Sequence, residues 1–400
     1  MGSWRAALRR GEARGRVFLR SAWAVGEMLF SGKPRLGADD GWLILPRLDG
    51  IGDFWLWLPF VHTLQKTFPE RRTHLIANAL WTELARDTTL FDRITPLYPH
   101  KLLRDPAYRR KVWTAIREAP SGILLNTTPR RRIAVEDSIA WFYPASHRVG
   151  VAPADAYDAL ESSYLREWLD KRLYTDIIPP STALHEWSRY DEYARAMHMP
   201  KLDLGIYENV RNRLKAISSC TSETDYLVVL PGASVPYKTI PHTLMKRLLE
   251  EVYARTRLPL FILGGKGESP QAHLLRQYLP GVPMKDLTGR LSLTQALMYI
   301  EGSVGVIGVD TGLVHVAVSW GKPTLVLMGG GHWGRFFPYP PGFPHQPFIL
   351  HHFMPCYGCG WFCQYTLSRD KPYPCMTALA QASLQPFYQW LSAISARKTE

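Results

Sequence analysis

The sequence predicts an α/β protein of two doubly wound, parallel-sheet domains, and three observations carry that prediction. From residue 42 onward, short apolar runs bounded by turn residues alternate with longer amphipathic stretches, the pattern of βαβ units. The runs are too short for helices and too continuously apolar for half-exposed strands, as sheets covered on both faces require. A break between residues 200 and 224, within the polar stretch "HMPKLDLGIYENVRNRLKAISSCTSETD" (residues 198–225), separates two sets of such runs.

In chain order, "GWLIL", "HLIAN", "GILLNTT" and "HRVGVA" read as buried strands of the first domain. "YLVVLPG", "LPLFILGG", "VGVIGVD" and "PTLVLMGG" read as those of the second. Helices fall between them, among them 240–254 and 292–301, and no solenoid-length repeat is present. The organisation expected is a basic arm over 1–37, a first domain over 38–205, a linker over 206–223, a second domain over 224–375 and a closing helix over 376–400. Domains of this type, facing one another, bind ligands at the carboxyl ends of their strands, in the cleft between them.

A chain of 400 residues with 46% apolar and 21% charged residues is large enough for two cores and reads as globular. No run reaches the ~20 uncharged apolar residues of a membrane span, and the N-terminus lacks a clean cleavage site, so a signal peptide is not expected. Five cysteines do not make a disulfide scaffold, which points to a reducing cytosol. The net charge is +13, and residues 1–37 hold eight Arg or Lys against two Glu. Aromatic and aliphatic residues interleave with those arginines. The arm is either an amphipathic segment on an anionic membrane face or a solvated extension. The short clusters Arg109–Lys111 and Arg130–Arg132 match no nucleic-acid recognition module, so no nucleic-acid partner is expected.

Three loops carry the chemistry of the second domain. In "GVDTGLVHVAVSWGKPTLVLMG" a strand ends at Val309 and a helix starts near Leu313, so free amides and a positive dipole end suit a diphosphate. Thr311 offers a hydroxyl, Gly312 a close approach, and His315 follows on the same helix face. Asp310, a poor neighbour for phosphate, is expected to accept from sugar hydroxyls. The competing reading makes Asp310 and Thr311 plain helix caps and His315 an interior histidine. "LPGASVPYKTIP" places Ser234 and Lys238 after a glycine turn, as phosphate ligands or as surface residues. "LGGKGESP" offers Glu268 to a ribose or base, or is a simple turn.

In the first domain, "LPRLDGIGDFWLWLPFVHTL" sets Asp53 at the mouth of an apolar helix, after a turn through Gly50 and Gly52. A carboxylate there is either a base or a cap, and glycine on both sides of Ile51 favours the base. Pro59 is expected to bend the helix. The glycine fingerprint of dinucleotide oxidoreductases is incomplete, and neither a P-loop nor a D-x-D pair is present. Diphosphate charge would therefore be met by Lys238 and a helix N-terminus, with no metal and no other cofactor.

The blocks "RLDGIGDFWLWLPFVHTLQKTFP", "HEWSRY", "LPGASVPYKTIP", "DLTGRLSLTQALMYIEGSVGVIGVDTGLVHVAVSWGKPTLVLMG" and "PCYGCGWFCQYTLSRDKPYPCM" resemble, in that order, the motifs of glycosyltransferase family 9, the lipopolysaccharide heptosyltransferases and their relatives. The likeness runs from about residue 42 to 395. It implies the GT-B architecture, two facing Rossmann-like domains with an interdomain cleft. It also implies transfer of a sugar, often heptose from an ADP donor, with inversion and without metal, onto growing lipopolysaccharide. A cytoplasmic enzyme, peripheral on the inner membrane face, is the corresponding location. Asp53 takes the place of the family's catalytic aspartate, and the donor positions fall on Ser234, Lys238, Glu268, Asp310, Thr311, Gly312 and His315. Arg47, Arg130 and Arg132 could meet acceptor anions, surface solvation being the alternative. The other reading is a non-catalytic nucleotide-sugar-binding scaffold of an assembly complex. Leu230, where many relatives have histidine, and the loop "MGGGHWGRFFPYP" depart from the family pattern. Cys356, Cys359, Cys363 and Cys375 form C-x2-C-x3-C-x11-C, open to structural zinc or to free or redox-active thiols.

Overall fold

The computed structural model describes residues 2–152, 163–218, 224–232, 235–366 and 368–396. The chain forms two compact units, Ala7–Ile206 and Tyr207–Glu400, the second including Met1–Ala6. The first holds a six-stranded sheet of β1 (Trp42–Arg47), β2 (Arg72–Asn78), β3 (Arg93–Leu97), β4 (Gly122–Asn126), β5 (Ala145–Val151) and β6 (Asp176–Ile178), ordered β3-β2-β1-β4-β5-β6. The second repeats that order with β7 (Leu227–Leu230), β8 (Leu260–Ile262), β9 (Met284–Asp286), β10 (Gly305–Val309), β11 (Thr324–Leu327) and β12 (Phe348–Leu350), as β12-β11-β10-β7-β8-β9. Every strand pair is parallel. The strand order reverses between β1 and β4, and again between β7 and β10. Those switch points are where doubly wound sheets leave a crevice at the strands' carboxyl ends. The loop after β1 carries Asp53, and the loops after β7 and β10 carry Lys238 and Asp310.

The sequence reading finds the four inner strands of each sheet and misses all four edges. β3, β6, β9 and β12 are short and largely exposed or half-buried, so they carry no continuous apolar run. Residues 206–217 also differ from expectation. Part of the polar linker by composition, they form the helix Ile206–Ile217, whose Ile206, Tyr207, Val210 and Leu214 are buried along one side while the charges face out.

Two helices position the first unit's loops. Helix α1 (Gly2–Phe30) buries Ala24, Val25 and Met28. Its Glu27 is an anchor: it accepts from Arg109 Nε and Trp113 Nε1, each at 2.9 Å. Arg109 is thereby fully buried, not a surface cation. Helix α2 (Ile51–Thr67) buries every residue from Phe54 to Val61. A helix apolar on all sides belongs inside a core. It runs on through Pro59, whose carbonyl accepts from Thr63 Oγ1 at 2.8 Å.

Candidate active site

Asp53 is the third residue of α2, and Gly50 is the N-cap. Gly50 N–H donates to Asp53 Oδ2 at 3.2 Å, so the carboxylate closes the helix start as a cap would. The turn itself does not require glycine at position 50. Gly50 has φ −80°, an ordinary value, and a Cβ there would stand 3.2 Å from Asp53 Oδ2. The missing side chain keeps room beside the carboxylate.

The loop is held from several directions. Asn78, at the end of β2, donates to the carbonyls of Leu48 (3.2 Å) and Asp49 (3.1 Å), and Trp81 Nε1 donates to Asp49 O at 2.9 Å. Arg47 Nη2 donates to Asp53 O at 3.1 Å and to the Tyr190 hydroxyl at 2.5 Å. Arg47 Nε lies 2.9 Å from Asp49 Oδ1, and Tyr190 OH donates to Glu186 Oε1 at 2.9 Å. The "RLDGIGDF" and "HEWSRY" blocks are thus joined in one buried network. Burial works against the Arg47 charge, but Asp49, Tyr190, Asp53 and Glu186 outweigh it and hold the proton more tightly than in free arginine.

Of the other acceptor candidates, Arg132 pairs with Glu136, four residues on, and Arg130 is half-buried. Arg47 is fully buried, so it supports the loop from within. None of Asn78, Trp81, Glu186 or Tyr190 was a sequence candidate. The available signal was a polar residue ending an apolar strand in "HLIAN" and buried-type aromatics in "HEWSRY".

In the second unit, Thr311 caps the helix Gly312–Ser319 through its backbone only. Its hydroxyl makes no cap hydrogen bond; the Val314 amide donates to Thr311 O at 3.2 Å, which leaves the hydroxyl and the amides of Gly312 and Leu313 without a cap. Asp310 is nearly buried, and His332 Nδ1 lies 3.1 Å from its Oδ2. Burial pushes the Asp310 carboxyl up, but the His332 hydrogen bond and the charges of His332, Lys238 and His315 carry it well below the usual carboxylate range. His315 fits the interior-histidine reading in its packing: it is buried, bonds Tyr339 OH through Nδ1 at 2.7 Å and stacks on Phe337. Its Nε2 lies 4.0 Å from Asp310 Oδ1.

Lys238 is half-buried, with its ammonium 4.8 Å from the Trp361 ring centre. Glu268 lies against the turns after β7 and β8. A Cβ on Gly232 would come within 2.0 Å of Glu268 Cγ, and Gly265 N–H donates to its carboxylate. Burial pushes the Glu268 carboxyl up and that amide partly restores it. Ser234 lies outside the described residues.

The cysteine loop backs the loop after β11. Gly358 N–H donates to Gly330 O at 2.7 Å and Gly360 N–H to Gly331 O at 2.8 Å. All four cysteines are free thiols, with Cys363 and Cys375 buried. Burial and neighbouring cysteines push the thiols of Cys356 and Cys359 up, and that of Cys375 to about 11, so these three resist forming reactive thiolates. Among the described residues no three His, Cys, Asp or Glu side chains are arranged to hold a metal.

The glycosyltransferase family 9 (heptosyltransferase) model matches residues 111–342, more than half of the chain. The chain belongs to glycosyltransferase family 9. The matched span contains Lys238, Glu268, Asp310, Thr311 and His315, while Asp53 and the cysteine loop lie outside it. The chain is 29% identical over 189 residues to lipopolysaccharide heptosyltransferase 1 of Pseudomonas aeruginosa. That match covers 46% of this chain and 48% of the relative, so the chain spans about half the length of that relative. Among solved structures, the E. coli ADP-heptose LPS heptosyltransferase II aligns with a TM-score of 0.61 at 17% identity, covering 90% of this chain and 99% of that one. The E. coli heptosyltransferase WaaC with ADP-2-deoxy-2-fluoro heptose aligns with a TM-score of 0.59 at 14% identity, covering 82% and 96%. At these identities the structural likeness shows the fold, the two-domain α/β GT-B architecture of family 9.

Proposed function

We propose that this family 9 chain is an inverting, metal-independent glycosyltransferase that moves a sugar, heptose from ADP-heptose, onto a lipopolysaccharide-core or related cell-surface glycan. The observation that carries the reading is the end of the Gly312–Ser319 helix, where the Thr311 hydroxyl and the leading amides are left without a side-chain cap. Lys238 is near enough to Asp310 to pull its proton affinity down, so a cation stands in the same loop cluster. In the reaction, Asp53 takes the proton of an acceptor hydroxyl as that oxygen bonds to the anomeric carbon. The bond from that carbon to the diphosphate breaks, and the nucleoside diphosphate leaves with the electron pair. Lys238 and the helix-end amides stabilise its charge. Asp310 and Glu268 accept hydroxyls of the donor. The ADP-heptose choice rests on the family and on the ligand named for the WaaC structure.

The test is thermal unfolding with ADP-, GDP- and UDP-sugars. ADP-heptose at a hundredfold excess over its Kd stabilises the native state by about 2.7 kcal/mol and raises Tm accordingly. A Tm unmoved by every nucleotide sugar would overturn the reading.

The membrane side of the proposal rests on α1. Among the described residues no helix is long and apolar enough to cross a membrane. Phe18, Leu19, Trp23, Leu29 and Phe30 are nevertheless exposed along α1, near Arg16 and Arg20, the composition of a helix lying on an anionic surface. The full chain is expected to sediment with phosphatidylglycerol-containing vesicles, and the chain carrying Phe18→Ser, Leu19→Ser and Phe30→Ser to stay in the supernatant. Equal sedimentation of both would remove α1 from membrane contact.

A further inference from the structure

Resting on the donor reading above, we propose that His332 is a donor-binding residue, with Asp310 as its orienting partner, whose Nε2 accepts a hydroxyl of the nucleotide sugar. It stands in the loop after β11, where the sequence departs from the family pattern. Asp310 is ionised, and an ionised carboxylate only accepts hydrogen bonds, so the 3.1 Å contact requires the proton to be on His332 Nδ1. In neutral histidine that leaves Nε2 as a lone pair. No described residue hydrogen-bonds Nε2, and the side chain keeps 15% exposure.

The ring is fixed before any ligand arrives. Phe336 and Trp361 meet it edge to face, with centres 5.1 and 5.7 Å away. Trp361 also carries the Lys238 ammonium over its face. The glycines before His332 are tied to the cysteine loop through Gly330 O and Gly331 O. Its loop position is therefore set by packing, and a ligand gains the contact without ordering the side chain.

An Nε2 lone pair repels phosphate oxygens and accepts O–H, so the matching group is a hydroxyl of the ribose or of the transferred sugar. The charged groups around the ring are Asp310, Lys238, Arg335 on its own loop, and His315 beyond Asp310. Burial, Lys238 and Arg335 push the His332 proton affinity down and Asp310 pulls it up, with a net value below that of free histidine. His332 is thus neutral at pH 7 and above. Acidification through its pKa turns Nε2 from acceptor into donor, so the hydroxyl must reverse its role and the contact becomes pH-dependent.

The experiment is calorimetric titration of the full chain with ADP-heptose and with ADP, at pH 7.5 and in steps downward through the titration of His332. His332→Asn retains an amide able to reach Asp310 but nothing at the Nε2 position. His332→Gln restores a polar group near Nε2. The Asn variant is expected to bind ADP-heptose about tenfold more weakly at pH 7.5. The Gln variant recovers part of the loss, and both lose the pH dependence that protonation of His332 gives the wild type. If ADP binding falls by the same factor, the hydroxyl is the ribose's; if ADP binding is unchanged, it is the sugar's. Wild-type affinity in the Asn variant, or an Asn variant that keeps the wild-type pH response, would overturn the assignment while the donor reading stands. A wild-type protein that binds neither ligand would overturn both.

Discussion

Replacing Asp53 by Asn is expected to lower turnover by ~10²–10⁴ while donor affinity stays near that of the wild type. Asparagine preserves the shape of the carboxylate, and its Oδ1 can still accept from Gly50 N–H, which now donates at 3.2 Å. The helix start, and the deeply buried α2 behind it, should therefore fold as before. Only the capacity to take a proton is lost. The proposed donor residues, Lys238, Glu268, Asp310 and Thr311, all belong to the second unit, so a loss confined to kcat separates a base from a cap. If Asp53 were only a cap, Asn would leave both stability and turnover near the wild type, because Gly50 N–H keeps its acceptor. Steady-state kcat, set beside calorimetric Kd for the donor, distinguishes the two. Unchanged kcat removes Asp53 from the chemistry and leaves a nucleotide-sugar-binding scaffold as the reading for the chain.

Arg47→Met carries the second large effect, on stability. Arg47 and Glu186 are both fully buried, their nearest charged atoms lie 3.8 Å apart, and Arg47 Nε is 2.9 Å from Asp49. Removing only the cation strands a buried carboxylate, which costs about 3–5 kcal/mol. It also frees the Tyr190 hydroxyl and the Asp53 carbonyl that share Arg47 Nη2. Arg47→Lys should recover little, because one ammonium nitrogen cannot stand both where Nε meets Asp49 and where Nη2 meets Tyr190 and the Asp53 carbonyl. Chemical denaturation of the wild type and both variants measures the loss. A loss below about 1 kcal/mol would show that the network adds specificity and little stability.

These two residues also mark where the sequence was legible. Inner strands reveal themselves because a parallel sheet covered on both faces needs an unbroken apolar run, as in "YLVVL" and "GVIGV". Edge strands such as Arg93–Leu97 and Met284–Asp286 face solvent in part and look like loops. The Asp310–His315 turn is visible as a motif, but whether Thr311 spends its hydroxyl on capping is a matter of χ angle, not of spacing. Arg47 looked like a surface cation because pairing with Asp49, Glu186 and Tyr190 draws on residues up to 143 positions away. The loop around His332 departs from the family pattern, but nothing in the sequence singles out His332, and only the fold places it beside Asp310.

The anomeric configuration of the transferred sugar, read by NMR on the product of wild-type enzyme, ADP-heptose and a lipopolysaccharide-core acceptor, tests the mechanism most directly. Single displacement with Asp53 as base predicts inversion at the anomeric carbon. Retention would require an intermediate on the other face of the sugar and would contradict it.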